Sequence, residues 1–312
     1  MPTKFTSSKL FHLALITTLG FLWGSSFGVT RIAVEYYHPY HIATLRVIIA
    51  TVILAITARC LSLKFPISLR IWQYTFFCSI ILYVIPLFLI TWAQQYISSG
   101  MAGVLISSVP LMTLLLSHFT LHEERMTFPK VFGILAGLCG ILILLDIGKI
   151  WLDMTESISH INLIAQFTCL SGAFCYASST VVIKKSPDCH PIVFSTIALI
   201  FSSIIFIAAA PLAGVPAIPD IEIKPFLAII YLGVFSTALA AVLAVYIIRI
   251  AGTIFLSLGN YQEPVWALLI GSIFFNEAIP SQIIIALPLI IFGIAIATLS
   301  EKKRKITTND SQ

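Results

Sequence analysis

Residues 252–277 read GTIFLSLGNYQEPVWALLIGSIFFNE, an apolar stretch long enough to cross a bilayer as an α-helix. Its polar centre holds, in order, Asn260, Tyr261, Gln262, Glu263 and Pro264. An ionised acid at the centre of a membrane helix costs roughly 2.5 to 3.5 kcal/mol, so Glu263 is expected to face a cavity or the protein interior. Pro264 has no N–H to donate to the carbonyl of Asn260, which leaves that carbonyl free for cargo or water. The stretch therefore predicts a broken transmembrane helix with a functional site at its centre.

The composition is typical of an integral membrane protein. Hydrophobic residues make up 59% and charged residues 10% of the 312 residues, and the mean hydropathy is +1.02. An ordinary soluble domain has about 25% charged residues. The six cysteines have no metal-ligand spacing, and the sequence contains no phosphate-binding loop and no metalloprotease motif. We therefore expect an all-α integral membrane protein that is not an enzyme and has no cofactor, metal site or nucleic-acid partner.

Ten apolar runs are predicted to form transmembrane helices. They lie at about 10–30, 41–61, 71–92, 101–121, 129–147, 162–183, 191–212, 225–248, 254–275 and 280–299. The first run exceeds the apolar region of a signal peptide and lacks an Ala-x-Ala-like end, so it is interpreted as the first span.

The distribution of Lys and Arg predicts the orientation of these spans. With a cytoplasmic N-terminus, fourteen of the 18 Lys and Arg residues fall in cytoplasmic segments, three fall outside, and Arg46 lies within a span. We therefore expect a multi-pass protein of the cell inner (plasma) membrane with both termini in the cytoplasm. On this basis the segments near Lys64, Arg125 and Lys184 are cytoplasmic and those near Pro39 and Asp153 are external.

An internal repeat becomes visible when the chain is shifted by 154 residues. This shift places Pro110 on Pro264 and Glu123 on Glu277. Each half then contains five spans, and because five is odd, the second half enters the membrane from the opposite side. The predicted units are residues 1–147, residues 161–300 and a basic cytoplasmic tail at 301–312. Inverted repeats with broken helices in matching positions indicate a transporter whose cargo site lies at the breaks, here in spans four and nine.

Four motifs together resemble the EamA-like branch of the drug/metabolite transporter superfamily. They are Trp23-Gly24, Arg46 in TLRVIIA, GMAGVLISSVPLMTLLLSHFTLHEERMTF in the fourth span, and GNYQEPVWALLIGSIFFNEAI in the ninth. The resemblance covers nearly the whole chain. It implies two inverted five-helix repeats, a central cavity lined by the inner helices of both halves, and export or exchange of small metabolites. The repeats differ where Cys175-Tyr176 stands opposite Trp23-Gly24 and where Val109 stands opposite Glu263, so an asymmetric site is expected.

Eight residues are the candidates for binding cargo. They are Glu263, Asn260, Tyr261, Arg46, Trp23, Tyr83, Ser107 and Tyr176. Glu263 could alternatively be a hydrogen-bonded structural acid, and Arg46 a structural anchor that reaches the membrane surface. The aromatic candidates could instead belong to interfacial belts. Arg46 is expected about 7 Å and Glu263 about 18 Å below the outer surface, so the two should meet through cargo or water rather than as a direct pair.

The sequence therefore predicts a secondary transporter, an exporter or exchanger of small metabolites such as amino acids or drug-like compounds. If transport is proton-linked, Glu263 is the expected coupling group. The alternative is a membrane-embedded enzyme or lipid-handling protein, which would need paired polar groups at one membrane face. The expected partners are a small-molecule substrate and the lipid bilayer. Gly133 and Gly137 form a Gly-x-x-x-Gly pattern, which indicates close helix approach within the bundle or the face of a possible homodimer.

Overall fold

The computed structural model describes residues 9–120, 128–144, 157–217, 219–251, 259–260, 262–279 and 281–293, with residues 256 and 296. This described part of the chain is helical and contains no β-strand. Its helices are α1 Lys9–Val34, α2 Pro39–Cys60, α3 Leu69–Ala93, α4 Ser99–Thr120, α5 Phe128–Leu144, α6 Ser157–Lys185, α7 Pro191–Ala209, α8 Ile223–Ile247 with its backbone helical to Ala251, α9 Glu263–Phe275 and α10 Ser281–Gly293.

Six of these helices are long and apolar enough to cross a membrane by length and composition, namely α2, α3, α4, α6, α7 and α8. Over the described residues α5, α9 and α10 are shorter apolar helices. The expected all-α membrane architecture is confirmed at this level.

Local sequence signals determine where several helices begin. Pro39 occupies the first turn of α2, and the Nδ1 atom of His38 accepts a hydrogen bond from the backbone N–H of Tyr40. At the start of α4, the Ser98 hydroxyl accepts from the backbone N–H of Met101. These caps satisfy backbone donors that the helices themselves leave unpaired.

The helix α4 is interrupted by a turn at Ser107 and Ser108, directly before Pro110. There the N–H of Ser108 donates to the carbonyl of Leu105, and the N–H of Met112 donates to the carbonyl of Ser108. The same pair of bonds recurs 154 residues later. The N–H of Gln262 donates to the carbonyl of Gly259, and the N–H of Trp266 donates to the carbonyl of Gln262. The break predicted at each proline is thus the same backbone turn in both halves.

Two helices contain π-helical segments, which the sequence analysis did not foresee. They are Ser79–Val84 in α3 and Leu232–Leu239 in α8. The shift of 154 residues superimposes the first segment on positions 233–238 of the second. π-Helical turns are rare and are frequently found at functional sites.

Close packing places α9 between α1 and α4. A Cβ added to Gly24 of α1 would lie 2.5 Å from the Cβ of Trp266 and 2.8 Å from the carbonyl oxygen of Glu263. A Cβ on Gly103 of α4 would lie 2.5 Å from the Cβ of Ala267. Glycine is required at both positions because the neighbouring helices leave no room for a side chain, and this brings Glu263 to the centre of the bundle.

The glycines of α5 contact α10 of the same chain. A Cβ on Gly293 would collide with the carbonyl oxygen of Gly133 and lie 2.7 Å from the nitrogen of Gly137. Of the two interpretations of this Gly-x-x-x-Gly pattern, the structure therefore supports close approach within the bundle.

Candidate functional site

The inner helices of both halves surround a cavity of about 160 Å³. Side chains from α1, α2, α3, α4, α6, α7, α8 and the start of α9 line it, and the described residues of α5 and α10 contribute none. An engineered cavity of similar volume holds a benzene molecule, so this one is large enough for a small organic metabolite.

Arg46 extends from α2 into this cavity and is only 8% exposed. Its Nε donates to the hydroxyl oxygen of Thr237 at 2.6 Å, and one Nη lies 3.4 Å from the carbonyl of Ser236. The hydroxyl of Thr237 in turn donates to the carbonyl of Leu232, five residues earlier in the π-helical segment of α8. The π-helical segment thus fixes the guanidinium through a neutral hydroxyl, and Arg46 does not reach the membrane surface as the anchor interpretation required.

Glu263 begins α9 and is 5% exposed, and it lines the same cavity as Asn260. Among the described residues, no ion pair of 4.0 Å or less and no hydrogen bond joins its carboxyl to another side chain. Arg46 and Glu263 therefore share a cavity without a direct contact. A buried carboxyl without a partner is costly to ionise. An acid with a purely structural role normally has hydrogen-bond partners.

Three of the predicted aromatic residues line the cavity together with these two groups. They are Trp23 of α1, Tyr83 of the π-helical segment of α3, and Tyr176 of α6. These side chains are therefore part of the central cavity rather than of an interfacial belt.

Two candidates are not placed with the others. Ser107 is buried, its hydroxyl donates to the carbonyl of Val104 at 2.6 Å, and it does not line the cavity. Its hydroxyl satisfies a carbonyl of the broken turn and so has a structural role there. Tyr261 lies outside the described residues.

Several polar residues of the cavity were missed by the sequence analysis. Gln94, which directly follows α3, is buried and donates to the carbonyl of Phe27 at 2.8 Å. Ser195 of α7 and Ser236 of α8 are buried. The Ser195 hydroxyl lies beside Tyr83, and the Ser236 hydroxyl makes no hydrogen bond within the described part of the chain. Such hydroxyl and amide groups carry little signal in sequence, since Ser and Thr are common in membrane helices.

A second polar contact joins the end of α9 to the beginning of α4. The carboxylate of Glu277 accepts hydrogen bonds from the Ser99 hydroxyl at 2.6 Å, from the Ser99 N–H at 3.1 Å and from the Gly100 N–H at 3.3 Å. The left-handed backbone of Asn276, with φ of 51°, turns the chain so that this carboxylate faces α4. Glu277 therefore has a structural role, since an acid at a helix N-terminus satisfies free N–H groups.

A sequence model of the EamA-like transporter family matches residues 10–146 and residues 163–299. The uncharacterized inner membrane transporter YedA of Escherichia coli K12 is 26% identical over 284 residues, covering 90% of this chain and 88% of that protein. The uncharacterized transporter YoaV of Bacillus subtilis is 23% identical over 297 residues, covering 93% and 98%.

Solved structures contain the same fold. One crystal structure superimposes with a TM-score of 0.64, at 17% sequence identity, covering 94% of this chain and 98% of the other. At this identity the likeness concerns the arrangement of helices alone, and it extends over both halves.

Proposed function

Because the chain belongs to the EamA-like transporter family, we propose that it is a secondary transporter that exports or exchanges small metabolites across the inner membrane by alternating access. In this proposal ten helices cross the bilayer as two inverted repeats of five, with both termini in the cytoplasm. The supporting observation is the central cavity, into which Arg46 and Glu263 extend from opposite halves beside a broken helix.

The backbone supports this mechanism through its repetition. The two halves share the same backbone turn, at Ser108 and at Gln262, and have π-helical segments at equivalent positions. Regular α-helical hydrogen bonding is therefore interrupted at the same places in both halves. Two equivalent halves allow two arrangements of similar energy, one open to each side of the membrane, as alternating access requires.

Contacts between loops support the alternation of the spans. Residues expected on the external side of different spans meet in pairs: His41 with Pro216, Asn162 with Tyr96, and Ser99 with Glu277. Such pairs would lie on opposite membrane faces if a span had been missed between them. The two relatives are named as uncharacterized transporters, which favours transport over the alternative of a membrane-embedded enzyme.

The test is a profile of metabolites moved by the purified chain in vesicles. Liposomes containing the protein are loaded with a metabolite extract, and mass spectrometry measures which compounds leave. We expect a small set of metabolites to leave faster than from empty liposomes, and we expect Glu263→Gln to remove the dependence of this efflux on an imposed pH gradient.

The matched control is Glu35→Gln, which replaces an exposed glutamate at the end of α1, outside the cavity. It should leave the profile unchanged. If the folded protein moved no compound faster than empty liposomes, in net efflux and in exchange, the transport proposal would be wrong.

A further inference from the structure

The guanidinium of Arg46 has hydrogen-bonding capacity that the protein does not use. Thr237 occupies its Nε, and the carbonyl of Ser236 is a long 3.4 Å from one Nη. The other Nη makes no hydrogen bond within the described part of the chain. A guanidinium has five N–H donors in a planar fork, so most of this fork remains available to a group in the cavity.

The charge of Arg46 is also unbalanced. No carboxylate lies within 4.0 Å of it among the described residues, and Glu263 is the sole acid among those that line the cavity. A buried cation without an anionic partner destabilises the protein unless something else compensates it. A cargo with a negative group would provide this compensation when bound.

An unpartnered hydroxyl lies in the same part of the cavity. Ser236 is next in sequence to Thr237, which accepts from the Nε of Arg46, and the buried hydroxyl of Ser236 has no partner in the described chain. Ser195 of α7 also lines the cavity, and its hydroxyl lies beside Tyr83. Buried hydroxyls are normally hydrogen-bonded, so an unpartnered one next to an available guanidinium indicates a place for an acceptor.

We propose that Arg46, with Ser236, binds a carboxylate of the transported molecule, an inference that rests on the proposed transport function. A guanidinium pairs with a carboxylate through two parallel hydrogen bonds. A phosphate offers similar oxygens, but its second negative charge would have no cation among the described lining residues. The small cavity and its single cation favour one carboxylate on a compact molecule.

The test uses three aromatic probes of similar shape, namely benzoate, benzamide and phenyl phosphate. Binding to the full chain in lipid nanodiscs is followed by the fluorescence of Trp23, which lines the cavity, in a background where the other four tryptophans are Phe. Benzoate should bind about ten- to hundredfold more tightly than benzamide, because a hydrogen-bonded ion pair replaces a neutral contact. Phenyl phosphate should bind more weakly than benzoate.

Substitutions test whether Arg46 causes the preference for benzoate over benzamide. Arg46→Gln should bind benzoate and benzamide equally, and Thr237→Val, which keeps the charge but removes the Nε partner, should reduce the preference. Arg70→Gln is the matched control. Arg70 is an exposed arginine at the start of α3 that does not line the cavity, and its guanidinium lies 5.9 Å from the centre of the Tyr74 ring. It should bind all probes as the unaltered chain does.

Three outcomes would overturn the inference: no benzoate binding, equal binding of benzoate and benzamide, or an unchanged preference in a folded Arg46→Gln protein. Tighter binding of phenyl phosphate would assign the site to phosphates instead. If the Arg46→Gln protein does not fold, the probe series on the unaltered chain and on the Thr237→Val variant still tests the inference. Because binding is measured without transport, a protein that binds benzoate but moves no metabolite would contradict only the proposed function.

Discussion

At the scale of single residues, the two ionisable groups of the cavity have no equivalent in the opposite half. The shift of 154 residues places Glu263 on Val109 and Ile200 on Arg46. Both side chains are nevertheless buried in one cavity. Each half therefore contributes a different charge to a site whose backbone is repeated.

Glu263→Gln tests whether the acid couples proton movement to cargo. Gln has the shape of the protonated acid but cannot ionise, so it cannot release a proton when cargo binds. We expect cargo exchange across vesicles to continue at a similar rate, while the dependence of net flux on an imposed pH gradient disappears. Counterflow and pH-driven flux, measured side by side, provide the comparison.

Glu35→Gln should keep both fluxes, since Glu35 is exposed and, among the described residues, forms an ion pair only with Arg31, at 3.5 Å. A Glu263→Gln protein with full pH-driven flux would show that Glu263 takes no part in coupling. A protein that failed to fold would show that the acid is structural.

Gly24→Ala tests the close approach that positions Glu263. The added methyl group would press on Trp266 and on the carbonyl of Glu263, and overpacking of this kind costs about 1 to 3 kcal/mol. We expect a lower unfolding temperature in detergent and a larger loss of transport, because the first residue of α9 is displaced.

Gly214→Asn is the matched control for this change. Gly214 has a left-handed backbone with φ of 56°, no atom lies within 4 Å of its added Cβ, and Asn tolerates this conformation. Equal losses in Gly24→Ala and Gly214→Asn would show that the packing against α9 is unimportant.

Sequence alone could identify Arg46 and Glu263, because ionisable side chains in apolar spans are rare and expensive. It could not separate Ser107 from Ser236, since both are hydroxyls within membrane helices. Their roles depend on direction: the Ser107 hydroxyl bonds its own helix, whereas that of Ser236 makes no bond within the described chain. This direction is set by the turn in α4 and the π-helical segment in α8.

At the scale of elements, the contact between α9 and α4 combines a carboxylate with a helix N-terminus. Gly271 makes room for it, because a Cβ there would collide with the Glu277 carboxylate and lie 2.7 Å from the Ser99 hydroxyl. The two broken helices of the repeats are thus tied together at one end.

Glu277→Ala should weaken this tie. Three hydrogen bonds to one carboxylate are lost, and two backbone N–H groups of α4 lose their partner, so we expect a loss of about 1 to 3 kcal/mol in stability. Thermal unfolding in detergent measures it, and Glu277→Gln should recover part of the loss because its amide oxygen still accepts.

Glu222→Ala is the control for this substitution. Glu222 precedes α8 at the N-cap position, and its side chain makes no capping bond. An equal effect of both alanine substitutions would contradict the specific role of Glu277.

At the scale of the whole molecule, the apolar runs predicted the helices well where the structure describes the whole run. The run at 41–61 corresponds to Pro39–Cys60 and the run at 71–92 to Leu69–Ala93. The π-helical segments could not be predicted in this way, because an apolar run has the same composition whether its bonds span four residues or five. They depend on tertiary contacts, such as that between Gly233 and Ile49.

Cysteine labelling tests the orientation of the whole bundle. In a background without the six native cysteines, Lys64→Cys should resist an impermeant thiol reagent in intact cells, and Ala217→Cys should react. Both positions are exposed in the structure, so accessibility differs only by membrane side. Opening the cells is the control, since both should then react, and the reverse pattern in intact cells would show the opposite orientation.

The matching turns of α4 and α9 also affect how such a chain can change over generations. The hydrogen bonds that the two turns share join backbone atoms, so these bonds tolerate many different side chains. A duplicated gene segment passes the turns to both halves, whereas a later substitution at Val109 or at Glu263 alters one half alone. Under the proposed mechanism, the parts that permit movement are inherited in two copies and the groups that select a cargo in one. A descendant could then acquire a new cargo through a single-site change while the two turns stay as they were.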